Sequence, residues 1–546
     1  MPRKAAAAIK TPASSKTSGR SKSAPPRPSA SSNGHSHSPS KTAGPTGPTR
    51  VEKDTMGEMT VPAAVLYGAS TQRAVLNFPV SGRPVPRSII MAYAQLKAAC
   101  ASVNQGLGRL DKGRVQAIRK ACADIESGLP AHAGAATPDP IAAHFPIDVF
   151  QTGSGTSTNM NVNEVIANLI CLARGAAIGS SKDKEYLAKG GVHPNDHVNM
   201  GQSSNDTFPT AMHVAAAKAI QNELLPAVRK VAIKLDQQAE AWDKIVKIGR
   251  THLQDATPIR LGQEFSGYAA QMYHGEARLE RALETLAELP IGGTAVGTGI
   301  NAHQDFGRLV SAELAKVTGI EFREADNHFE AQHAKDACVE ASGHLKTLAT
   351  SLTKIASDIR LMGMGPRCGI GELVIPAVQP GSSIMPGKVN PVICESLIMV
   401  CGQVIGNDAA ITFGNLGALN STLDLNVAMP LIADNLLESI QLLARGVHMF
   451  HDNLLIGLKP DEARCQSLIE GSLAMCTTLV PVIGYDASAA LAKDAFKQGK
   501  TVRQLAYETV VGTKSQSGKK ISREDIDSYL NPWEMTLPGG EGSAGG

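Results

Sequence analysis

Leu345-Lys346-Thr347-Leu348-Ala349-Thr350-Ser351-Leu352-Thr353-Lys354-Ile355-Ala356-Ser357-Asp358-Ile359 carries its large apolar side chains at 345, 348, 352, 355 and 359. Steps of three and four put all five on one side of a 3.6-residue helix, whereas a strand would scatter them over both faces. Met212, Ala216, Ile220 and Leu224 repeat the pattern in steps of four. Each stripe reads as the core-facing side of a helix. Aromatic residues make up only 4% of the chain, which suits closely packed helices better than sheets. The glycines at 292, 293, 297 and 299 lack the spacing of a dinucleotide-binding turn. The fold class expected is all-α, built around a bundle of long helices.

Directly after this stripe the helical period stops. Leu361 to Pro391 holds six glycines and five prolines, and irregular runs of this length inside compact domains are commonly binding loops or lids. Its last third, Gly381-Ser382-Ser383-Ile384-Met385-Pro386-Gly387-Lys388-Val389-Asn390-Pro391, sets two hydroxyls, an ammonium and an amide on backbone that cannot be regular. Free N–H groups beside a cation suit a small, multiply charged carboxylic acid. A phosphate-cradling P-loop does not fit. Five residues rather than four separate Gly381 from Gly387, Val389 follows the lysine where Ser or Thr belongs, and Pro391 stands where the phosphate-binding helix should begin.

The chain has 546 residues, 42% of them apolar, enough for more than one domain. No run approaches the length of a membrane span, and the N-terminus lacks the apolar core of a secretory signal. A soluble protein with no membrane partner is expected. Nine cysteines, scattered singly, argue against a disulfide framework or zinc ribbon and for a reducing compartment. Residues 1–50 are rich in Ala, Ser, Pro, Lys and Arg, with no acidic residue before Glu52, and read as a disordered tail. Its nine Lys and Arg, taken from the net +3, leave −6 for the rest. An organellar transit peptide is opposed by the prolines from Pro25 onward. A tether to nucleic acid is opposed by the lack of stacking aromatics, which leaves at most weak contact. A solvated tail without a specific partner is the preferred reading.

The signature segment resembles the loop of the fumarase/aspartase superfamily of lyases. Two further blocks match in the family's order. One is Gly153-Ser154-Gly155-Thr156-Ser157-Thr158-Asn159-Met160-Asn161 with Asn163-Glu164. The other comprises His193-Pro194-Asn195-Asp196, Gln202-Ser203-Ser204-Asn205-Asp206 and Gly249-Arg250-Thr251-His252-Leu253-Gln254-Asp255-Ala256. The likeness runs from about residue 51 to about 537. It implies a three-domain all-α subunit, with an N-terminal domain over 51–199, a central helical bundle over 200–456 carrying a mobile loop at 361–391, and a small C-terminal domain over 457–546. It also implies a homotetramer whose active sites are shared between subunits, which would unite blocks lying about 50 to 140 residues apart on rigid helices.

The resemblance also implies the chemistry. Water adds across a trans dicarboxylate, and the difficult step is removal of a proton from carbon beside a carboxylate. Donors aimed at the resulting aci-carboxylate stabilise the transition state more than the ground state. By resemblance Ser382 takes the proton, His252 exchanges one with the water, Glu395 orients His252, and Lys388 stabilises the charge. Ser154, Gly155, Thr156, Ser203, Ser204, Asn205, Thr251, Ser383, Lys388, Val389 and Asn390 would hold the substrate. His193, Pro194, Asn195 and Asp196 match a second, non-catalytic dicarboxylate site, from which this chain departs with Gly190 in place of Arg and His197 in place of Asp. Gly201 and Met364 stand where Ser is frequent. No cofactor is implied. His193 and His197 have a metal-like spacing, but Pro194-Asn195 makes a turn of it and no third ligand stands nearby. Asn205 and Asp206 read equally as caps of a helix initiated near Pro209.

The Ser-Ser-Asn triplet at 203–205, the Gly-Ser-Gly at 153–155 and Gly387 before the loop lysine are similar to class II fumarases, enzymes of the tricarboxylic acid cycle. Aspartate ammonia-lyases, the alternative within the superfamily, more often carry Ser-Thr-Asn, Gly-Ala-Gly and Ala there. A non-catalytic scaffold with a polyanion-binding tail is the alternative of another class. The compartment expected is the cytoplasm, or the mitochondrion if the tail is a transit peptide.

Overall fold

Both stripes lie inside. Leu345, Leu348, Leu352, Ile355 and Ile359 are at most 1% exposed, as are Met212, Ala216, Ile220 and Leu224. The computed structural model describes residues 47–129 and 140–538, so the tail lies largely outside the described residues. Regular structure starts before residue 50, with the hairpin of Thr49–Asp54 and Gly57–Pro62. Arg50 secures that edge, donating to the carbonyls of Pro62, Val65 and Tyr67 and pairing with Glu52 at 2.6 Å.

Six helical stretches form the bundle: Ser204–Ala219, Leu225–Ala241, Leu261–Leu286, Asp336–Met362, Val392–Gly414 and Met429–Phe450. The first two join through one wide turn, Ile220–Leu224, which accommodates the missing N–H of Pro226 without breaking the apolar stripe. Leu261–Leu286 packs on Leu225–Ala241 and on Asp336–Met362, which packs in turn on Val392–Gly414, itself against Met429–Phe450. Arg87–Gly106 lies against Lys112–Glu126 and Ser204–Ala219. At about 1.5 Å per residue the longest, 27 residues, spans roughly 40 Å. One apolar core runs from Val61 to Leu458, and a second, from Ile469 to Leu530, is built by the C-terminal helices.

The all-α expectation holds, with two-stranded ribbons added. The longest, Val246–Thr251 paired with Gln254–Arg260, was not foreseen in the Gly249–Ala256 block. Two sequence expectations are corrected. The helix at Ser204 is capped by Ser203, not by Asn205, and Asp206 returns the bond at the third position, so Pro209 lies inside the helix rather than starting it. Val392–Gly414, at 23 residues, is long and apolar enough by composition to cross a membrane, contrary to the reading of no such run. Cys394, Leu397, Cys401, Val404 and Ile411 are buried within the chain, while Met399, Ile405 and Phe413 on other sides are exposed. Its apolar residues are therefore spread around the helix rather than confined to one buried stripe.

Leu352 is completely buried at the centre of the bundle. Leu352→Ala should cost about 2–5 kcal/mol, read from the urea midpoint. An unmoved midpoint would mean the stripe does not carry the core.

Candidate active site

Two helices begin at the same place. Thr156–Ala173 starts after Gly155, whose φ of 71° is left-handed, and Ser204–Ala219 starts after Ser203. Thr156 Oγ1 lies 2.7 Å from Ser204 Oγ and 2.9 Å from Ser154 Oγ. Three hydroxyls are thus chained across two helix N-termini, where unpaired N–H groups and the helix dipoles favour an anion. The flanking glycines permit the approach. A Cβ at Gly153 would sit 1.6 Å from the Val427 carbonyl oxygen, and one at Gly155 would sit 2.0 Å from the Phe208 ring. Asn205 donates to the Ala295 carbonyl at 2.7 Å, tying the second helix start to the glycine-rich turn after residue 290.

Behind these hydroxyls lie buried charged groups, of which sequence reasoning missed Lys97. Lys97 is fully buried and donates to Asn159 Oδ1 at 2.7 Å, Asn199 Oδ1 at 2.9 Å and Gln202 Oε1 at 2.9 Å. It thereby ties the Thr156 helix to the turn that leads into Ser203. Burial pushes this ammonium down to about 8. Asp206, also fully buried, accepts from the N–H groups of Ser203, Gly292 and Thr294, and burial raises its carboxyl to about 6 against those bonds. Glu164 caps the helix Ala69–Asn77 by accepting from the N–H groups of Gly68, Ser70 and Thr71. The signal for Lys97 was a lone charge amid the apolar run around Leu96, Ala98 and Ala99.

A cleft of about 580 Å³ opens beside Thr152, Thr156 and Ser157 and reaches His193 and Asn195. Its cations are Lys53, Arg73 and Lys182, also missed from sequence, with Arg73 held by Asp54 at 2.6 Å. His193 Nδ1 accepts from the Asn195 and Asp196 N–H groups, and Pro194–Val198 forms a single wide turn. Burial lowers the pKa of both His193 and His197. Gly190 has a φ of 83°, and Arg174 donates to the neighbouring Lys189 carbonyl, so this edge is shaped without the family's arginine. Gly201 has a φ of 72°, a conformation in which serine would be strained. Nothing in the structure explains Met364.

The signature loop closes on itself. Gly381 donates to the Lys388 carbonyl at 2.9 Å, and Asn390 Nδ2 donates to the Gly381 carbonyl at 2.6 Å. Within it, Ser382 Oγ accepts from the backbone N–H groups of Ile384 and Met385 at 3.2 and 3.1 Å. Ser383, Lys388 and Val389 are exposed. Glu395 stands in the first turn of Val392–Gly414 and is exposed.

Thr251 and His252 occupy an exposed hairpin tip. His252 and Leu253 have φ of 54° and 60°, a two-residue turn of the primed type built without glycine. Within one chain the blocks do not all meet. Ser154, Thr156, Ser203, Ser204 and Asn205 come together, whereas among the described residues no hydrogen bond or ion pair joins them to His252, Ser382, Lys388 or Glu395.

The unfolded chain binds one more proton than the folded chain between pH about 8 and 10.5, the folded and free values for Lys97. Stability due to this group therefore rises with pH across that window and is flat below it. Relative to Lys97→Met, the wild type should gain about 1.4 kcal/mol per pH unit there in urea titrations. Equal slopes would place the ammonium in contact with water.

Comparison with known proteins accords with this geometry. The family described as Lyase matches residues 57–406, and Fumarase C C-terminus matches residues 475–537. A class II fumarate hydratase of Corynebacterium glutamicum is 51% identical over 89% of this chain and 96% of its own length. Another, from Mycobacterium tuberculosis, is 50% identical with the same coverage. The crystal structure of class II fumarase from Schistosoma mansoni superposes with a TM-score of 0.82 at 37% identity, covering 90% of this chain and all of that one. With a hydroxyl-lined pair of helix starts, a self-closed cationic loop and relatives matched over nearly their full length, this chain belongs to the class II fumarate hydratase family.

Proposed function

We propose that the protein catalyses the reversible addition of water to fumarate, giving (S)-malate, as a carbon–oxygen lyase. The observation that carries this reading is the contact of Thr156 with Ser204. It joins two helix N-termini, one of which borders a polar cleft, a geometry suited to a small dicarboxylate. Ser154, Gly155, Thr156, Ser203, Ser204 and Asn205 hold one carboxylate by hydroxyl, amide and backbone donors. Fixing the substrate this way lowers the entropic part of the barrier.

In this reading Ser382 removes the proton next to the carboxylate. A hydroxyl is a weak base, and the two N–H groups that Ser382 Oγ accepts from would stabilise its alkoxide, with the Lys388 ammonium on the same loop adding positive charge. Lys388 and the second N–H of Asn390 then meet the charge developing on the aci-carboxylate, Ser383 and Val389 contribute loop contacts, and Thr251 contributes from the hairpin. His252 delivers a proton to the departing hydroxyl in the malate-to-fumarate direction, or accepts one from the attacking water in the other. Glu395 favours the protonated imidazole. His193, Pro194, Asn195 and Asp196 form a secondary dicarboxylate position at the edge of the same cleft.

Separation of the blocks within one chain favours an assembly, and we infer a homotetramer with shared sites. Gly267, Gly343, Gly402 and Gly406 lie within long helices, and nothing lies within 4 Å of a Cβ added at any of them. Each costs helix stability of about 0.5–1 kcal/mol without serving its own chain. Met399, Gly402, Gly406, Ala409 and Phe413 step by three and four along one exposed face, the pattern for close approach by a helix of a second copy. The core from Ile469 to Leu530 supports a C-terminal domain over 457–546, beside an N-terminal domain over 51–199 and a central bundle over 200–456. The free cysteines fit a cytoplasmic enzyme. A transit role for residues 1–50 is the mitochondrial alternative.

Loss of fumarate absorbance in water without ammonia is the direct test, and loss only with ammonia would overturn hydration. Ser382→Ala should lower kcat by about 10³-fold or more while the protein stays folded. Near-normal turnover would remove Ser382 from the mechanism. Gly402→Leu with Gly406→Leu should shift the mass in light scattering from tetramer to smaller species. An unchanged tetramer would place the interface elsewhere.

A further inference from the structure

Between the hairpin that carries His252 and the segment that carries Ser382 lies a buried charge cluster that none of the roles above uses. Glu372, ten residues before Ser382, has a completely buried side chain. Arg250 Nη1 donates to its two carboxylate oxygens at 3.0 and 2.9 Å. Lys247 Nζ approaches the same carboxylate at 3.4 Å and Glu264, on the helix Leu261–Leu286, at 3.0 Å. The Glu372 main chain is also fixed. Its N–H donates to the Met362 carbonyl at the end of the long helix, and its carbonyl accepts from the Asp461 N–H, both at 2.9 Å.

Two cations three residues apart on a strand ordinarily point to opposite faces. Here the pairing register shifts between Ile248 and Arg250, where Gly249 stands opposite both Ala256 and Thr257, and such a bulge bends and twists the hairpin locally. At Gly249 an added Cβ would lie 2.6 Å from the Thr257 carbonyl oxygen, so the two strands approach closely there. From this irregular hairpin both cations reach Glu372. Beyond Arg250 the hairpin has only its tip, and among the described residues no side-chain hydrogen bond fixes His252. The direction of the imidazole is therefore set by the strand beneath it, and the last side-chain anchor on that strand is Arg250.

We propose that Glu372, with Arg250 and Lys247, is a positioning device that holds the His252 tip and the base of the Ser382 loop in fixed register. The proposal rests on the hydration reading above. A buried ion pair contributes little net stability compared with apolar packing of the same volume, and its use is geometric. The two oxygens of Glu372 determine where Arg250 lies, while its backbone holds the end of the long helix and the start of the C-terminal region. Motion of either tip relative to the other requires this carboxylate to lose a partner.

Arg250→Lys keeps the charge but loses the rigid planar guanidinium whose Nη1 meets both oxygens. In the full-length assembly it should lower kcat for fumarate at least tenfold with KM within threefold. Hydrogen exchange should quicken together in residues 246–260 and 373–390 and stay unchanged in the helix Leu225–Ala241. Glu372→Gln should do the same where it folds, and the double variant Arg250→Met with Glu372→Gln should be no worse than the more damaging single change. A kcat within twofold of wild type in folded Arg250→Lys would overturn the proposal, as would a rate loss with unchanged exchange at both segments. Absence of fumarate hydration by the wild type would instead refute the reaction, and the exchange measurement would still decide whether the two segments are coupled.

Discussion

The contact between Thr156 and Ser204 is the constraint around which the first half of the chain is arranged. Two helix starts repel through their aligned N–H dipoles unless something negative or hydrogen-bonding separates them. Here the immediate mediators are hydroxyls, and the rest of the region holds the helices in place. Gly153 and Gly155 remove side chains that would collide with Val427 and Phe208. Lys97 connects the two segments through three amide oxygens. Asp206 ties the second helix to the 292–294 turn. A small dianion placed at this junction would relieve the same repulsion, so the architecture favours occupation by the substrate.

The fold was legible where periodicity was long. Five apolar residues in steps of three and four over fifteen positions leave no other regular structure, and all five are buried. The loss of period from Leu361 to Pro391 was equally clear, because Gly and Pro remove helical options whatever surrounds them. The hairpin at 246–260 was not legible. Its turn uses His252 and Leu253 in left-handed conformations, so the usual Asn-Gly or Gly signal is missing. The cap at Ser203 was misplaced because Ser203, Ser204, Asn205 and Asp206 are all good capping residues, and tertiary bonds to Gly292 and Thr294 decide between them.

Candidate site residues in compact motifs came from resemblance and chemistry, whereas charges set apart in sequence were missed. Lys97, Arg73 and Glu372 each stand apart from other charges in sequence, with side-chain hydrogen-bond partners 19 to 122 residues away. A single lysine in an apolar helix is ambiguous until its acceptors are known, and those of Lys97 come from segments 62 to 105 positions away. Sequence separation of this size is the rule for charges whose cost of burial must be offset by several groups at once.

Burial and exposure divide the chemistry in an informative way. The charges that position are inside, as with Lys97, Asp206, Glu164 and Glu372, whereas Lys388, Glu395 and His252 stand outside the single chain. An acid or base left in bulk water gains little from neighbouring dipoles, because solvent screens them. If these exposed groups act in catalysis as proposed, a dry wall must be supplied by something else. The frame already presents helices with unused glycines and an apolar face from Met399 to Phe413. A second copy approaching that face would bury apolar surface and could exclude water from the hairpin tip and loop, so association and activation of the site would be one event.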